Sequence, residues 1–293
     1  MSRRQSSLLA SLVAVLALLA ACADTDTTPA DRSGAAHPDA IVSLSPTATE
    51  MLFAVGAGDQ VKAVDDQSNY PSDAPKTRLS GYTPNLEAIL GYDPDLVVLS
   101  DDSDGIIAKL KRAGVEVLQL PAAKTLDDTY TQIEQVGAAT GHVGDAAELV
   151  SSMRTEIDKT VQSVPTRETP LTYYYELDNT FYSVTDNTYI GQIMTMLGLK
   201  SIATGGNGYP QLSAEYILDA DPQVIFLADA QCCGVTPQAV AARAGWGQIA
   251  AVKDDQMHVL DGDIASRWGP RIVDLVNQVA GIVKDIPVTA PAP

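Results

Sequence analysis

Asn85-Leu86-Glu87-Ala88-Ile89-Leu90-Gly91-Tyr92-Asp93-Pro94-Asp95-Leu96-Val97-Val98-Leu99 has a counterpart in the second half of the chain, Ser213-Ala214-Glu215-Tyr216-Ile217-Leu218-Asp219-Ala220-Asp221-Pro222-Gln223-Val224-Ile225-Phe226-Leu227. Six of the fifteen positions are identical, and the Glu-to-Pro interval is seven in both copies. In each copy an Asn or Ser can cap a short helix, a Glu enters its first turn, and Asp-Pro stops it before an apolar strand. The segments 47–56 and 188–198, each a helical pattern ending in Gly, form a second correspondence. A unit repeated at this scale argues for two related halves.

Working outward, short apolar runs at 41–44, 61–64, 96–99 and 115–120, then at 171–175, 224–227 and 257–260, alternate with helix-length patterns. Strands separated in this way imply parallel βαβ units, so the expected class is α/β, written twice. Between the two sets, residues 126–164 read as helix broken only at Gly141-His142. The stretch 143–164, rich in Ala and Glu, is expected to connect the halves and to end before Pro165.

The whole chain has 293 residues, 19 Lys and Arg against 37 Asp and Glu, a formal charge of −18, and 45% apolar residues. That apolar share excludes a disordered chain, and the length suits two lobes with a core each. Few cations are left to build a phosphate-binding face, which argues against nucleic acid as a partner. Three His and three Cys are too few for multi-ligand zinc or iron–sulfur sites, so no intrinsic metal or cofactor is expected.

The N-terminus reads as a sorting signal. Arg3 and Arg4 precede a fourteen-residue apolar run at 8–21. The run is short of the ~20 residues a membrane-spanning helix needs. Leu19-Ala20-Ala21-Cys22 resembles the bacterial lipobox, in which the Cys thiol is acylated and the domain is held at a membrane by lipid. An ordinary signal peptide with an incidental Cys is the alternative. Residues 23–40, mostly Ala, Asp, Thr, Pro, Gly and Ser, read as a flexible tether.

The string Ile41-Val42-Ser43-Leu44-Ser45-Pro46-Thr47-Ala48-Thr49-Glu50-Met51-Leu52, with Asn69-Tyr70-Pro71, Asn85-Leu86-Glu87, Pro94-Asp95-Leu96-Val97 and Pro270-Arg271-Ile272, resembles the periplasmic binding proteins that serve ABC importers of vitamin B12, ferric siderophores or haem. The spacing is most similar to the vitamin B12-binding members. The resemblance spans about 41–285 and implies two Rossmann-like lobes joined by one long helix, the helical-backbone class III architecture, with ligand between the lobes. The expected divisions are a signal at 1–22, a tether at 23–40, lobes at 41–141 and 166–293, and a linking helix at 142–165. The implied setting is outside the cytoplasm, as a lipid-anchored monomer working with a permease dimer and its ATPase.

Glu87 and Glu215 carry the sharpest functional expectation. In the family a Glu at this place in each lobe meets arginines of the permease, and one matched charge per lobe suits a two-fold partner. The structural alternative is that a carboxylate in a first helical turn is stabilised by the helix dipole alone.

Ligand contacts are expected from loops at strand ends: Pro46, Thr47, Tyr70, Gly81, Tyr82, Tyr209, Asp263, Ser266, Arg267 and Trp268. Aromatic faces suit a large planar macrocycle that itself carries cobalt or iron. The chain departs from the B12-binding pattern at Gly81 and Tyr209, where Trp is usual, and at Ile264 and Ala265, where bulky aromatics are usual. The departures weigh against a corrinoid, but the spacing of the resemblance keeps it the first expectation, with haem, through a tyrosinate from Tyr70 or Tyr209, or a ferric siderophore as alternatives. A siderophore would call for several arginines, and only Arg267 and Arg271 offer themselves.

Cys232-Cys233 follow a strand on an expected cleft loop and read as a vicinal disulfide, as reduced loop residues, or as a thiolate facing a ligand's metal. Trp246 reads as packing. His37, His142 and His258 lie off the expected cleft loops. An enzyme is not expected, since neither a Gly-x-Ser-x-Gly elbow nor a phosphate loop with Lys appears. A ligand sensor without transport is the remaining alternative, and the paired Glu residues argue against it.

Overall fold

The computed structural model describes residues 37–288. The expected signal, the lipobox Cys22 and most of the expected tether lie outside them. Residues 37–40 belong to the body: the amides of Asp39 and Ala40 both donate to Asp95 Oδ2, at 2.9 and 3.0 Å, and the His37 ring lies against Gly141.

The first half runs β1 (Ile41–Ser43), α1 (Pro46–Ala54), β2 (Val61–Asp65), β3 (Lys76–Leu79), α2 (Leu86–Leu90), β4 (Leu96–Leu99), α3 (Ile106–Arg112) and β5 (Glu116–Gln119). Two helices follow, α4 (Leu126–Thr140) and α5 (Val143–Gln162). The second half runs β6 (Leu171–Glu176), α6 (Tyr189–Met196), β7 (Leu199–Ser201), α7 (Ala214–Ala220), β8 (Val224–Leu227), α8 (Ala230–Cys233), α9 (Pro237–Ala241), α10 (Ala250–Lys253) and β9 (Met257–Val259). It ends with α11 (Gly262–Ser266) and α12 (Ile272–Asp285).

All strand pairs are parallel, in a five-stranded sheet ordered β3-β2-β1-β4-β5 and a four-stranded one ordered β7-β6-β8-β9. Taking β1 with β6, β2 with β7, β4 with β8 and β5 with β9, the two orders are the same, and β3 is an addition at one edge. The strands β1, β4 and β8 are buried on both faces, as parallel sheets covered by helices require, and this explains the unbroken apolar sequences of β4 and β8. The chain reverses direction across the sheet between β1 and β4, and again between β6 and β8. In such sheets ligands bind beyond the carboxyl ends of the strands at that reversal.

The connector is a hairpin of two helices, with a third helix laid on it. Thr125 and Asp128 form a reciprocal capping box at the start of α4, and Gly141, at φ 86°, ends it in the left-handed conformation. On α5 the buried residues Ala146, Val150, Met153 and Ile157 recur at helical spacing and face one continuous core. That core takes in residues of α1 and β1 from the first half and of β6 and α6 from the second. The C-terminal helix α12 packs on α5, where Asn277 accepts from Thr160 and donates to Glu156. The helix α5 stops at Gln162, two residues short of the expected end, with Ser163 as its cap.

Candidate functional site

Two confluent hollows open beyond the carboxyl ends of the strands, of about 710 and 270 Å³. The larger is walled by the second half: Leu177 after β6, Val184, Tyr189, Ile190, Tyr209, and Ala228 with Cys232 after β8, closed on one side by Ala122 and Ala123 after β5. The smaller is walled by the first half: 44–47 after β1, Asp65 at the end of β2 with Gln67 beyond it, Gly81 and Tyr82, and Ser100 with Asp101 after β4. Asp263, Ser266, Arg267 and Trp268 line both, so the segment after β9 is a wedge between two unlike walls. One wall is mainly apolar and aromatic, whereas the other offers hydroxyls and carboxylates.

The wedge is rigidly held. Trp268 Nε1 donates to Gln132 Oε1 at 2.8 Å, and Gln132 in turn donates to the Pro121 carbonyl at 2.7 Å, which fixes the indole against α4. Arg267 is 8% exposed and donates to Glu50 (2.8 Å), Asn69 (2.9 Å), Asp263 (2.8 Å) and the Gln67 carbonyl (3.2 Å). Arg271 pairs with the same Glu50 through Nε at 3.0 Å and through Nη2. That pairing raises its already high pKa further. Glu50 on α1 thus joins the first half to the start of α12, and a buried carboxylate there is tolerable because two guanidiniums satisfy it. Ser45 caps α1, accepting from the Ala48 amide, and Pro46 opens it, so the turn after β1 is set by local chemistry.

The structure places Pro46, Thr47, Gly81 and Tyr82 in the smaller hollow, and Tyr209 and Cys232 in the larger. Asp263, Ser266, Arg267 and Trp268 are shared. Tyr70 lies apart from both, half-exposed in a separate depression, with Arg271 stacked 4.3 Å from its ring centre. Gly81 is a close-approach residue: a Cβ there would sit 2.3 Å from the Leu44 carbonyl oxygen and 3.2 Å from Asp65 Oδ2. No side chain fits in this conformation, and the neighbouring Tyr82, 81% exposed, supplies the aromatic at the rim. Burial raises the pKa of the Asp65 carboxyl, partly offset by its hydrogen bonds with Ser68.

Cys232 and Cys233 stand on a one-turn helix, α8, where a loop was expected, and their sulfurs are bonded to each other. Cys233 lies outside the lining of both hollows. Trp246 is buried against Tyr174 and Phe181. Glu87 and Glu215 are exposed in the first turns of α2 and α7, each helix capped by the expected Asn85 or Ser213. Neither carboxylate has an ion-pair partner among the described residues. Glu50, Gln132, Asp65, Asp101, Tyr189 and Ile190 were not anticipated. For Glu50 the signal was present, as a carboxylate on an apolar helix face, with Arg267 and Arg271 four residues apart near the C-terminus.

A doubly wound sheet in each half, a helical connector and a cleft at the strand ends define a two-lobed solute-binding protein. Residues 41–264 match the model of the periplasmic binding protein family, and the chain belongs to that family. It is a binding protein and not an enzyme. It is 30% identical over 253 residues to the uncharacterized ABC transporter substrate-binding lipoprotein YvrC of Bacillus subtilis, covering 83% of this chain and 79% of that one. It is 29% identical over 279 residues to the vitamin B12-binding protein of Vibrio cholerae serotype O1, covering 91% and 96%. The crystal structure of the periplasmic vitamin B12 binding protein BtuF of Vibrio cholerae superposes with a TM-score of 0.70 at 29% identity, covering 84% of this chain and 97% of that one.

Proposed function

We propose that this chain is the solute-binding component of an ABC importer, anchored outside the cytoplasm by lipid on Cys22, that captures a corrinoid between lobes at about 41–141 and 166–293. It hands the ligand to a permease dimer coupled to its ATPase, working as a monomer. The cleft carries the reading. A flat ring with an apolar face and a hydrogen-bonding edge fits an apolar, aromatic wall opposed by hydroxyls, with the Trp268 indole fixed between them. The names of the B12-binding relatives point the same way.

Haem is the second reading, favoured by the half-exposed Tyr209 in the larger hollow as an axial ligand. Absorption spectra of the purified protein after incubation with cobalamin and with haem, followed by gel filtration, decide between them. Corrinoid bands should travel with the protein. Haem bands alone select the second reading, and the absence of both overturns the ligand class.

The exposed Glu87 and Glu215, one at the same step of each half, are the docking charges in this reading. Reversing both to Lys should abolish uptake in cells while leaving ligand affinity within about twofold, because rim charges steer and orient partners. Unchanged uptake sinks the docking role and returns both residues to helix-dipole partners.

A further inference from the structure

We propose that the cleft excludes anions: it accepts ring ligands whose edge is neutral or cationic and rejects those whose edge carries free carboxylates. This rests on the corrinoid reading for the choice of ring and adds the charge of its periphery.

Among the described residues Arg267 is the single cation in the lining of the two hollows. Its guanidinium is spent, with four acceptors around it and 8% of the residue exposed. Arg271 lies behind it, held by Glu50 and covered by the Tyr70 ring. The two guanidiniums with Glu50 and Asp263 form a neutral cluster, so nothing positive is left over for a ligand.

Asp65 and Asp101 remain. Both line the smaller hollow, and neither accepts a hydrogen bond from a Lys or Arg among the described residues. Asp101 is exposed at the mouth. The apolar wall adds no compensating charge, since its polar members are neutral groups such as Gln231 and Tyr209. A carboxylate brought into this cleft would lose water, find no cation and face two like charges. An amide would find hydroxyls and carboxylates able to accept its N–H groups.

The test compares two rings, each in two charge states, by calorimetric titration of the folded full chain. The corrin pair is cobinamide, with amides at its edge, and cobyrinic acid, the same ring with carboxylates. The porphyrin pair is iron protoporphyrin and its bis-amide. For whichever ring binds, the amide form should bind about thirtyfold tighter at low ionic strength, and the gap should shrink several-fold near 0.5 M salt. Asp101→Lys should narrow the amide-to-carboxylate ratio by about five- to tenfold. Glu148→Lys, the same charge change on α5 outside the cleft, should leave that ratio alone. A carboxylate form that binds as tightly as its amide, or a ratio that ignores Asp101→Lys, overturns the proposal. Should only the porphyrins bind, in the expected order, the corrinoid reading falls and the charge filter stands; silence from all four ligands overturns both.

Discussion

Asp101 and Asp229 stand at the same step of the two halves, two residues beyond β4 and β8, and meet opposite surroundings. Asp101 is exposed and lines the polar wall of the cleft. Asp229 is 1% exposed, and neither of its carboxylate oxygens has a hydrogen-bond partner in the protein. The cause lies one strand over. Ile41 pairs with Leu96 as Tyr173 pairs with Val224, so the place held by Leu44 after β1 is held by Glu176 at the end of β6. Glu176 is fully buried and bound through both oxygens, at 2.6 Å each, to Arg243, whose guanidinium also lies 4.6 Å from the Trp246 ring centre. One backbone plan thus serves two electrostatic ends. The first half turns its carboxylate toward the cleft, whereas the second withdraws its acids behind an apolar wall and answers two of them with one cation. Unlike walls on a shared plan suit a ligand with two unlike faces.

The largest expected effect tests that imbalance. Arg243→Met keeps an apolar side chain beside Trp246 and Phe181, whose rings the guanidinium overlies, but removes the cation from two buried carboxylates. It should cost about 3–5 kcal/mol at pH 8, read from urea unfolding, because breaking a buried pair from one side leaves charge uncompensated. The loss should shrink in acid, where the Asp229 carboxyl takes up a proton. A cost below about 1 kcal/mol would mean that water reaches Glu176 and Asp229, and that the second half does not bury its acids as described.

How much of this was legible in the sequence follows from what each residue touches. The strands β4 and β8 were legible to the residue because both their faces are buried and their sequences are unbroken apolar runs. The edge strands β3 (Lys-Thr-Arg-Leu) and β7 (Leu-Lys-Ser) carry no such signal, since an edge strand keeps polar side chains in water. The caps Asn85 and Ser213, being local, were legible too. Glu50 belongs to a legible motif that does not disclose its role, because its partners Arg267 and Arg271 lie more than two hundred residues away in sequence. For the same reason Arg267 read as a free cleft cation, although its four acceptors come from three separate segments. Tyr70 sits on the correct loop but on the far side of the Glu50 cluster, and no pattern within a single loop reports which side of a distant ion pair it faces.

The smaller effects separate the two aspartates themselves. Burial, reinforced by the nearby charge of Glu176, pushes the Asp229 carboxyl up to about 6 from an ordinary 3.8. Well below pH 3.8 it is protonated in both folded and unfolded chains and costs nothing. As pH rises from there the unfolded chain ionises first, so the penalty on the folded state builds and is complete above about pH 6–7. Asp229→Asn, neutral throughout and able to donate its amide to Glu176, should therefore stabilise the protein by about 2 kcal/mol at pH 8 and by no more than about 0.5 kcal/mol at pH 4. Asp101→Asn, at the matching but exposed position, should change stability by less than about 0.5 kcal/mol at either pH. Chemical denaturation of the two variants at both pH values gives the four numbers. Equal gains for Asp229→Asn at pH 4 and pH 8 would trace its effect to packing, not charge. A pH-dependent gain from Asp101→Asn would show that the first half buries its acid as well, and the contrast between the walls would then have to rest on Leu44 and Glu176 alone.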